Sequence, residues 1–312
     1  MAVYTNISQS EAQILFINIG KIAKLEGIQE GVENTNYKVT LEDDKKYILT
    51  IFEKRTKEED LPFFNNTMLE FQKKGISCPT AFELDGKNVF KIKSKNCSIY
   101  NFLKGRPTKI INKDVSISLS EMMAKMHIIG RESKLSRHNT MLIPSWSYIL
   151  GKFHNFKEHD FNEELKLVSE SIEEMQSQFP DNLDTSLIHA DLFPDNVFFE
   201  NNKISGVIDF FFSCNDTIIY DLSTLINSWF FVDKFNAENC KLFLNNYLNK
   251  INLTKYEKEN FNFYLKASAI RFFLTRLHDM YFNNSGDVNH KDPMDFFHIL
   301  RFHQKNNLED FI

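Results

Sequence analysis

The amino-acid sequence predicts an α+β fold in two parts, a small β-rich part over residues 1–99 and a larger, mostly helical part over residues 100–312. Two observations predict this division. Before residue 99, short runs of β-branched and aromatic residues alternate with turn residues, which is typical of an antiparallel sheet. After Gly105-Arg106-Pro107, apolar residues recur at helical spacing, and one strand pair around residues 187–210 interrupts them.

The individual elements follow from turn residues and from the spacing of apolar side chains. In the β-rich part we expect a helix from Ser8 to about Ile19 that Gly20 ends, strands over Lys21–Ile28, Thr35–Leu41 and Lys46–Glu53, a helix from Leu61 to Gly75, and strands around Val89–Ile92 and Cys97–Tyr100. In the helical part we expect helices over Val115–Ile129 and at about 146–156, 160–179, 220–231, 237–251, 254–282 and 294–304.

The composition predicts a soluble globular enzyme, which we expect in the cytoplasm. Of the 312 residues, 42% are hydrophobic and 25% are charged, as in ordinary globular proteins. A net charge of −5 without a basic, aromatic-rich stripe predicts no nucleic-acid partner. Neither a run of about 18 apolar residues nor a signal peptide is visible, so we expect no membrane association. Four widely spaced cysteines fit a reducing compartment, and the oligomeric state is left open.

A polar loop at residues 189–196 carries the strongest functional pattern. It contains Asp191 and, five residues later, Asn196; thirteen residues beyond Asn196, Asp209 ends another apolar run. Asp191 can take a proton from a hydroxyl group, and Asn196 and Asp209 offer oxygen ligands to a hard cation such as Mg²⁺. Phosphoryl transfer in kinase-like enzymes requires these groups. They are also ordinary loop residues, but their joint spacing between strands favours the catalytic interpretation.

A glycine-containing turn between the first two strands is a candidate phosphate-binding hairpin. It contains Gly27, Gly31, Asn34 and Asn36, and such a hairpin can offer backbone N–H groups to nucleotide phosphates. The spacing is not GxGxxG, and a plain hairpin would show the same pattern. Its position as the first hairpin of the β-rich part, well ahead of Asp191, favours the nucleotide-binding interpretation.

The third strand departs from the pattern of kinase-like enzymes. Thr50 stands where a lysine is expected, and Lys54 lies on the same strand face but about 13 Å further along. The basic residue that would contact the nucleotide phosphates is therefore undetermined.

Two other segments have open interpretations. Tyr100, Asn101 and Phe102 either contact adenine through backbone groups, as a connector between two lobes would, or belong to an ordinary edge strand. Asp221 either braces the catalytic loop by hydrogen bonds, together with His189, or is a helix-start acid that favours the helix dipole.

Taken together, these residues resemble the aminoglycoside phosphotransferase and choline kinase branch of the protein-kinase-like fold, whose signature is the HxDxxxxN stretch at His189–Asn196 with Asp209. Within this branch, several segments are similar to type II homoserine kinases: Met1–Thr5, Gly31–Tyr37, Ile48–Arg55, Asp60–Phe64, Gly75–Pro79, Arg271–Asp279 and Lys291–Pro293. The resemblance implies a bilobal kinase fold, with a small antiparallel β-sheet N-lobe and a larger, mostly helical C-lobe.

The resemblance also implies an activity and cofactors. The γ-phosphoryl group of ATP would pass to the side-chain hydroxyl of L-homoserine, with Asp191 on the hydroxyl proton, Asn196 and Asp209 on Mg²⁺, and the hairpin at 27–36 over the phosphates.

The α-carboxylate and α-ammonium of homoserine need partners as well. We consider Arg271 and Arg276 for the carboxylate, and Asp279 or Asp195 for the ammonium. The alternative is that these residues form surface ion pairs, or that the arginines brace the helical lobe.

Other functions fit parts of the same pattern. A kinase of choline, an aminoglycoside or methylthioribose would share the catalytic loop but would not need an arginine for a carboxylate. A nucleotide-binding pseudokinase would explain Thr50, although it would not need intact Asp191, Asn196 and Asp209.

Overall fold

The computed structural model describes residues 5–29, 34–53, 56–156, 158–282 and 291–312, and the chain divides into two compact units. Among the described residues, the first unit contains those up to Gly105 together with Ser205–Phe211, and the second contains the others. The first unit extends past residue 99 because its last strand continues to Asn101. It also includes a segment around Asp209 that the sequence had placed in the helical part.

The first unit is built on a five-stranded antiparallel sheet in the order β1-β2-β3-β5-β4. Its elements are α1 (Gln9–Leu15), β1 (Ile22–Ile28), β2 (Thr35–Leu41), β3 (Lys46–Ile51), α2 (Leu61–Lys73), β4 (Phe90–Ile92) and β5 (Lys95–Asn101). In β2, Tyr37, Val39 and Leu41 are buried with Ala12 and Phe16 in the hydrophobic core. The alternating residues Asn36, Lys38 and Thr40 are half-buried, because successive side chains of a strand point to opposite faces.

The first helix begins where the sequence predicts but ends earlier. Ser8 caps α1 in a reciprocal capping box with Glu11, which satisfies N–H groups of the first turn. The helix ends at Leu15, and a turn over residues 16–19 replaces the predicted last turn. Gly20 follows at φ +158°, where a Cβ atom would lie 2.8 Å from Leu41 Cδ1, so a side chain there would require the Leu41 side chain to shift.

The second unit consists mainly of helices, with short strands around the predicted catalytic loop. Its elements are α3 (Lys113–Glu132), α4 (Ile143–Asn155), α5 (Asn162–Ser177), β6 (Ser186–Ile188), β7 (Val197–Glu200), β8 (Lys203–Val207, whose last residues belong to the first unit), β9 (Cys214–Asp216), α6 (Ile218–Trp229), α7 (Ala237–Leu248), α8 (Lys255–Glu259), α9 (Phe261–Phe282) and α10 (Met294–Lys305). β6 pairs with β9, and β7 pairs with β8.

Two helices of this unit replace one predicted helix, and a third helix packs closely on β6. The helix expected over 254–282 is two helices, because α8 ends at Glu259 and α9 starts at Phe261. Gly130 in α3 packs directly on β6: a Cβ atom there would lie 2.1 Å from the carbonyl oxygen of Leu187. This glycine therefore lets α3 support the strand that leads into the catalytic loop.

Within the described part of the chain, no helix has both the length and the apolar character that crossing a membrane would require.

Candidate active site

The predicted catalytic loop runs from the end of β6 to the start of β7. Asp191 lies in the middle of it, and Pro194–Asn196 forms a 3₁₀ turn before β7. The Asn196 side-chain amide donates to the Asp191 main-chain oxygen at 2.8 Å and to its carboxylate Oδ2 at 3.1 Å. The five-residue spacing thus brings these two side chains together, and the amide orients the carboxylate.

Ala190, the residue before Asp191, has a strained backbone conformation that its hydrogen bonds fix. Ala190 has φ +63°, a region that residues with a Cβ atom rarely adopt. Its N–H donates to Asp221 Oδ1 at 2.7 Å, and its carbonyl oxygen accepts from Arg271 Nη1 at 2.6 Å. The N–H of His189 donates to Asp221 Oδ2 at 3.2 Å. This is the geometry that the brace hypothesis for Asp221 requires.

His189 and Asp221 belong to the buried support of the loop. His189 has no solvent exposure, and its Nδ1 accepts the N–H of Asp191 at 3.2 Å. Behind Asp221, His127 Nε2 lies 3.2 Å from Oδ2, and His127 Nδ1 lies 2.6 Å from the hydroxyl of Tyr247. Sequence reasoning missed His127 and Tyr247, because a histidine and a tyrosine on the apolar faces of two helices give no motif.

The pKa of the Asp221 carboxyl group is lowered although the side chain is fully buried. Burial alone would raise its pKa, but the hydrogen bonds that the carboxylate accepts from the His127 ring and from the Ala190 N–H outweigh burial, and the pKa is lowered. An ionised Asp221 is a strong acceptor for the two backbone N–H groups, which helps to hold Ala190 in its unusual conformation.

The pKa of Asp191 is shifted in the opposite direction, upward. Burial raises its pKa, and the opposing effects of Arg271, His189, Lys291 and Asn196 do not cancel that rise. The Arg271 Nη2 lies 3.9 Å from Asp191 Oδ1. A carboxylate with a raised pKa is a better proton acceptor than an ordinary aspartate, which suits a general base.

Arg271 does not fit its predicted role as a carboxylate ligand of the substrate. The residue is 1% exposed, donates to the Ala190 carbonyl, and lies 3.3 Å from the hydroxyl of Tyr220. Its guanidinium also stacks over Phe212 and Phe272, at 5.0 and 4.5 Å from the ring centroids. Because the side chain is almost fully buried and its Nη1 donates to the loop, the contacts of Arg271 are those of a residue that supports the catalytic loop.

Arg276 lies five residues further along α9 and is largely covered as well. Its Nη1 donates to the carbonyl oxygen of Asp292 at 2.8 Å and to the Asp295 carboxylate at 2.9 Å, and it stacks over Phe296 at 4.5 Å. The side chain is 13% exposed. Arg276 therefore fixes the segment at residues 292–295 and offers little to a small molecule.

The two predicted ammonium ligands differ in their surroundings. Asp195 is exposed and forms an ion pair with Lys291, at 2.6 Å between Nζ and Oδ2. Asp279 lies eight residues beyond Arg271, about 12 Å along the helix axis. Its Oδ1 lies 3.7 Å from Nδ1 of His278, and that histidine contacts Lys152 of α4. We retain Asp195 as the candidate ligand of the ammonium group, because it is exposed and belongs to the catalytic loop.

The nucleotide-binding residues predicted in the first hairpin tie β2 to β3. Thr50 donates through its hydroxyl to the side-chain oxygen of Asn36 at 2.7 Å, and Asn34 Oδ1 accepts the N–H of Glu53 at 3.3 Å. Gly27 is not in the turn but inside β1, where it pairs with Tyr37. Gly31 and Lys54 lie outside the described residues.

The prediction that Tyr100 and Asn101 present backbone groups to adenine does not fit the structure. Tyr100 pairs with Ile48 of β3, and its hydroxyl donates to Asn65 at 2.7 Å in the interior. The N–H of Asn101 donates to the carbonyl of Thr80 at 3.3 Å. Both edges of β5 are therefore paired at this point, and Phe102 is the first candidate residue beyond the sheet.

Asp209 lies in the segment of the first unit that follows β8. Ser77 holds this segment, since its hydroxyl donates to Ser205 O at 2.6 Å and its carbonyl accepts the N–H of Val207 at 2.8 Å. Asp209 itself has φ +65°, a conformation that aspartate tolerates better than most residues. Within the described ranges, no group of three or more His, Cys, Asp or Glu side chains could hold a metal ion.

Comparison with known proteins identifies the family. Residues 24–249 match the phosphotransferase enzyme family, APH. The chain belongs to this family. Two relatives, each named homoserine kinase, share its full length. The protein from Paramagnetospirillum magneticum is 35% identical over 97% of this chain and 97% of its own, and that from Agrobacterium fabrum is 33% identical over 97% and 96%. The family resemblance read from the sequence is thereby confirmed.

Solved structures of the same fold are more distant in sequence. An amicoumacin kinase in complex with AMP-PNP and Ca²⁺ has a TM-score of 0.74 at 16% identity and covers 98% of this chain and 94% of its own. A choline kinase from Streptococcus pneumoniae has a TM-score of 0.67 at 14% identity and covers 96% and 98%. These matches confirm the predicted kinase-like α+β fold of this phosphotransferase.

Proposed function

We propose that this phosphotransferase is an ATP-dependent homoserine kinase, which transfers the γ-phosphoryl group to the side-chain hydroxyl of L-homoserine and forms O-phospho-L-homoserine, a precursor of threonine. Full-length similarity to homoserine kinases is the observation that carries this proposal. The catalytic loop supports it, because Asp191 and Asn196 are both present and lie in contact.

In this proposal Asp191 accepts or orients the proton of the acceptor hydroxyl. Its raised pKa and the hydrogen bond from Asn196 suit that role. Asp221 binds the N–H of the preceding residue, Ala190, and Arg271 binds its carbonyl oxygen, and together they fix the direction of the carboxylate. Much of the catalytic effect in phosphoryl transfer is positioning, so this rigid support would contribute directly to the rate.

Asn196 and Asp209 are the proposed ligands of a divalent cation, with Mg²⁺ the expected ion. The oxygen donors fit a hard cation, which protein sites often hold with one or two carboxylates plus phosphate oxygens from the nucleotide. A cluster of three carboxylates is therefore not required. When bound, the ion neutralises charge on the β- and γ-phosphates.

For the nucleotide, we propose that the hairpin at 27–36 lies over the phosphates and that Phe102 lies near the adenine. Two hydrogen bonds support this, because they fix the start of β2, where the hairpin returns to the sheet: Asn36 accepts from Thr50 of β3, and Asn34 accepts from Glu53 just beyond β3. A hydroxyl–amide pair, Thr50 with Asn36, occupies the position of the expected lysine.

The test is release of ADP from Mg-ATP with L-homoserine, choline, methylthioribose, an aminoglycoside, or no acceptor. Turnover with L-homoserine alone is expected. Turnover with another acceptor and not with homoserine would refute the substrate assignment while keeping the kinase mechanism. Nucleotide binding without turnover on any acceptor would favour the pseudokinase alternative, with Thr50→Lys as the next variant.

A further inference from the structure

Three phenylalanines of the second unit form a packed triad beside the catalytic loop, and each has a cation over its ring. Phe193, Phe272 and Phe296 have ring centroids 4.7 to 5.8 Å apart. Arg271 lies over Phe272, Arg276 over Phe296, and Lys291 over Phe193.

The three cations differ in how much of their side chain solvent can reach. The exposed fraction is 2% for Arg271, 13% for Arg276 and 45% for Lys291. The first two donate to the protein carbonyl and carboxylate groups already described. Of these three cations, Lys291 is therefore the one that a small anion can reach.

We propose that Lys291 and Asp195 form the subsite for the charged end of the acceptor, with Lys291 on its α-carboxylate and Asp195 on its α-ammonium. This inference rests on the proposed function, since it names residues that select an α-amino acid. The sequence analysis named Lys291 only within the segment Lys291–Pro293 and gave it no role in the site.

The geometry of the pair suits a zwitterion. Lys291 Nζ and Asp195 Oδ2 lie 2.6 Å apart, yet 45% and 65% of the two side chains are exposed. An ammonium has three donors and a carboxylate accepts at several positions, so each partner can bind a further group. A bound amino acid adds one negative and one positive group to this pair, and thus leaves neither charge without a partner.

Both members of the pair are at the catalytic loop, because Asp195 belongs to it and Lys291 lies over the ring of Phe193, another residue of the loop. Phe193, under Lys291 at 5.1 Å, follows Asp191 by two residues, and Asp195 follows it by four. Arg276 is a positioning residue here, because its bond to the carbonyl of Asp292 fixes the neighbour of Lys291.

The experiment compares three acceptors: L-homoserine, 3-aminopropan-1-ol, which lacks the carboxylate, and 4-hydroxybutanoate, which lacks the ammonium. We expect Lys291→Gln to lower kcat/KM for homoserine and 4-hydroxybutanoate roughly ten- to hundredfold, as for loss of a charged hydrogen bond, and to leave the value for 3-aminopropan-1-ol within about threefold. Asp195→Asn should affect the two amines and spare 4-hydroxybutanoate. The KM for ATP should not change in either variant.

The controls separate binding from folding and from chemistry. Lys291→Arg keeps the charge and should recover most of the homoserine activity, and Lys255→Gln removes a lysine whose side chain is 90% exposed and should change nothing. Each analogue is also measured as a competitive inhibitor of homoserine phosphorylation, so that slow turnover still yields a comparison. Equal loss on all three acceptors would overturn the subsite. Absence of homoserine turnover in the unmodified enzyme would instead refute the proposed function.

Discussion

The phenylalanine triad has a buried cation, Arg271, at what we call its inner end and an exposed cation, Lys291, at its outer end, and the two contacts serve different purposes. At the inner end, Arg271 stacks on Phe272 and donates to the carbonyl of Ala190. At the outer end, Lys291 stacks on Phe193 and pairs with an exposed aspartate. Both are cations over an aromatic ring. Arg271 is buried and donates to the backbone of the catalytic loop, whereas Lys291 is exposed and keeps donors that a ligand can reach. Function here follows from solvent access rather than from residue type.

The largest expected effect comes from changing Asp191, which follows the residue that Arg271 holds. Asp191→Asn should reduce kcat by roughly 10²–10⁴, because the amide cannot take the hydroxyl proton. Nucleotide affinity, measured by calorimetry, should be nearly unchanged. Asp279→Asn is a matched control on α9 and should retain activity within about twofold. Turnover of Asp191→Asn close to that of the unmodified enzyme would remove Asp191 from its catalytic role.

Replacing Arg271 and replacing Lys291 should differ most clearly in how much each change lowers the stability of the fold. Arg271→Met removes one partner of a buried charge pair and should lower the free energy of unfolding by about 3–5 kcal/mol. Lys291→Gln breaks an exposed pair and should cost no more than about 1 kcal/mol. Urea unfolding followed by circular dichroism measures both. Similar losses in the two variants would contradict the comparison.

Asp221→Asn tests the second residue that holds the Ala190 backbone, since Asp221 accepts its N–H. It keeps the shape of the side chain but replaces a charged acceptor of two backbone N–H groups, and should cost about 1.5–3 kcal/mol. Because the strained peptide would lose part of its support, kcat should fall more than the KM for ATP changes. Unaltered kcat in a folded variant would show that Asp221 supports the fold and not the orientation of Asp191.

The smallest effect concerns pH. Because burial raises the pKa of Asp191, the acidic limb of kcat/KM should lie above the range of an ordinary aspartate, with activity lost as pH falls through that pKa. Lys291 opposes the rise, so Lys291→Gln should move the limb to still higher pH. Lys255→Gln serves as the control. A limb at or below the ordinary range would contradict the raised pKa.

Much of the fold was predictable because its signals are local. β2 has the predicted bounds, and the Ser8 cap and the start of α2 at Leu61 are also where the sequence places them. Errors lie at helix ends and at Asn260, where the choice between continuing and breaking a helix depends on packing. The division between the units was harder to predict, since the bonds of Ser77 join segments 128 residues apart.

For the site, the sequence by itself determined the order and offsets of Asp191, Asn196 and Asp209, because the first two lie in one short loop and Asp209 follows the next strand pair along the chain. Only the tertiary structure decided which cations are accessible. Arg271 and Lys291 lie 20 residues apart in the sequence, and both could bind a carboxylate. The packing of α9 against the catalytic loop buries one and leaves the other exposed. Solvent exposure depends on contacts between distant segments, and no local pattern in the sequence records it.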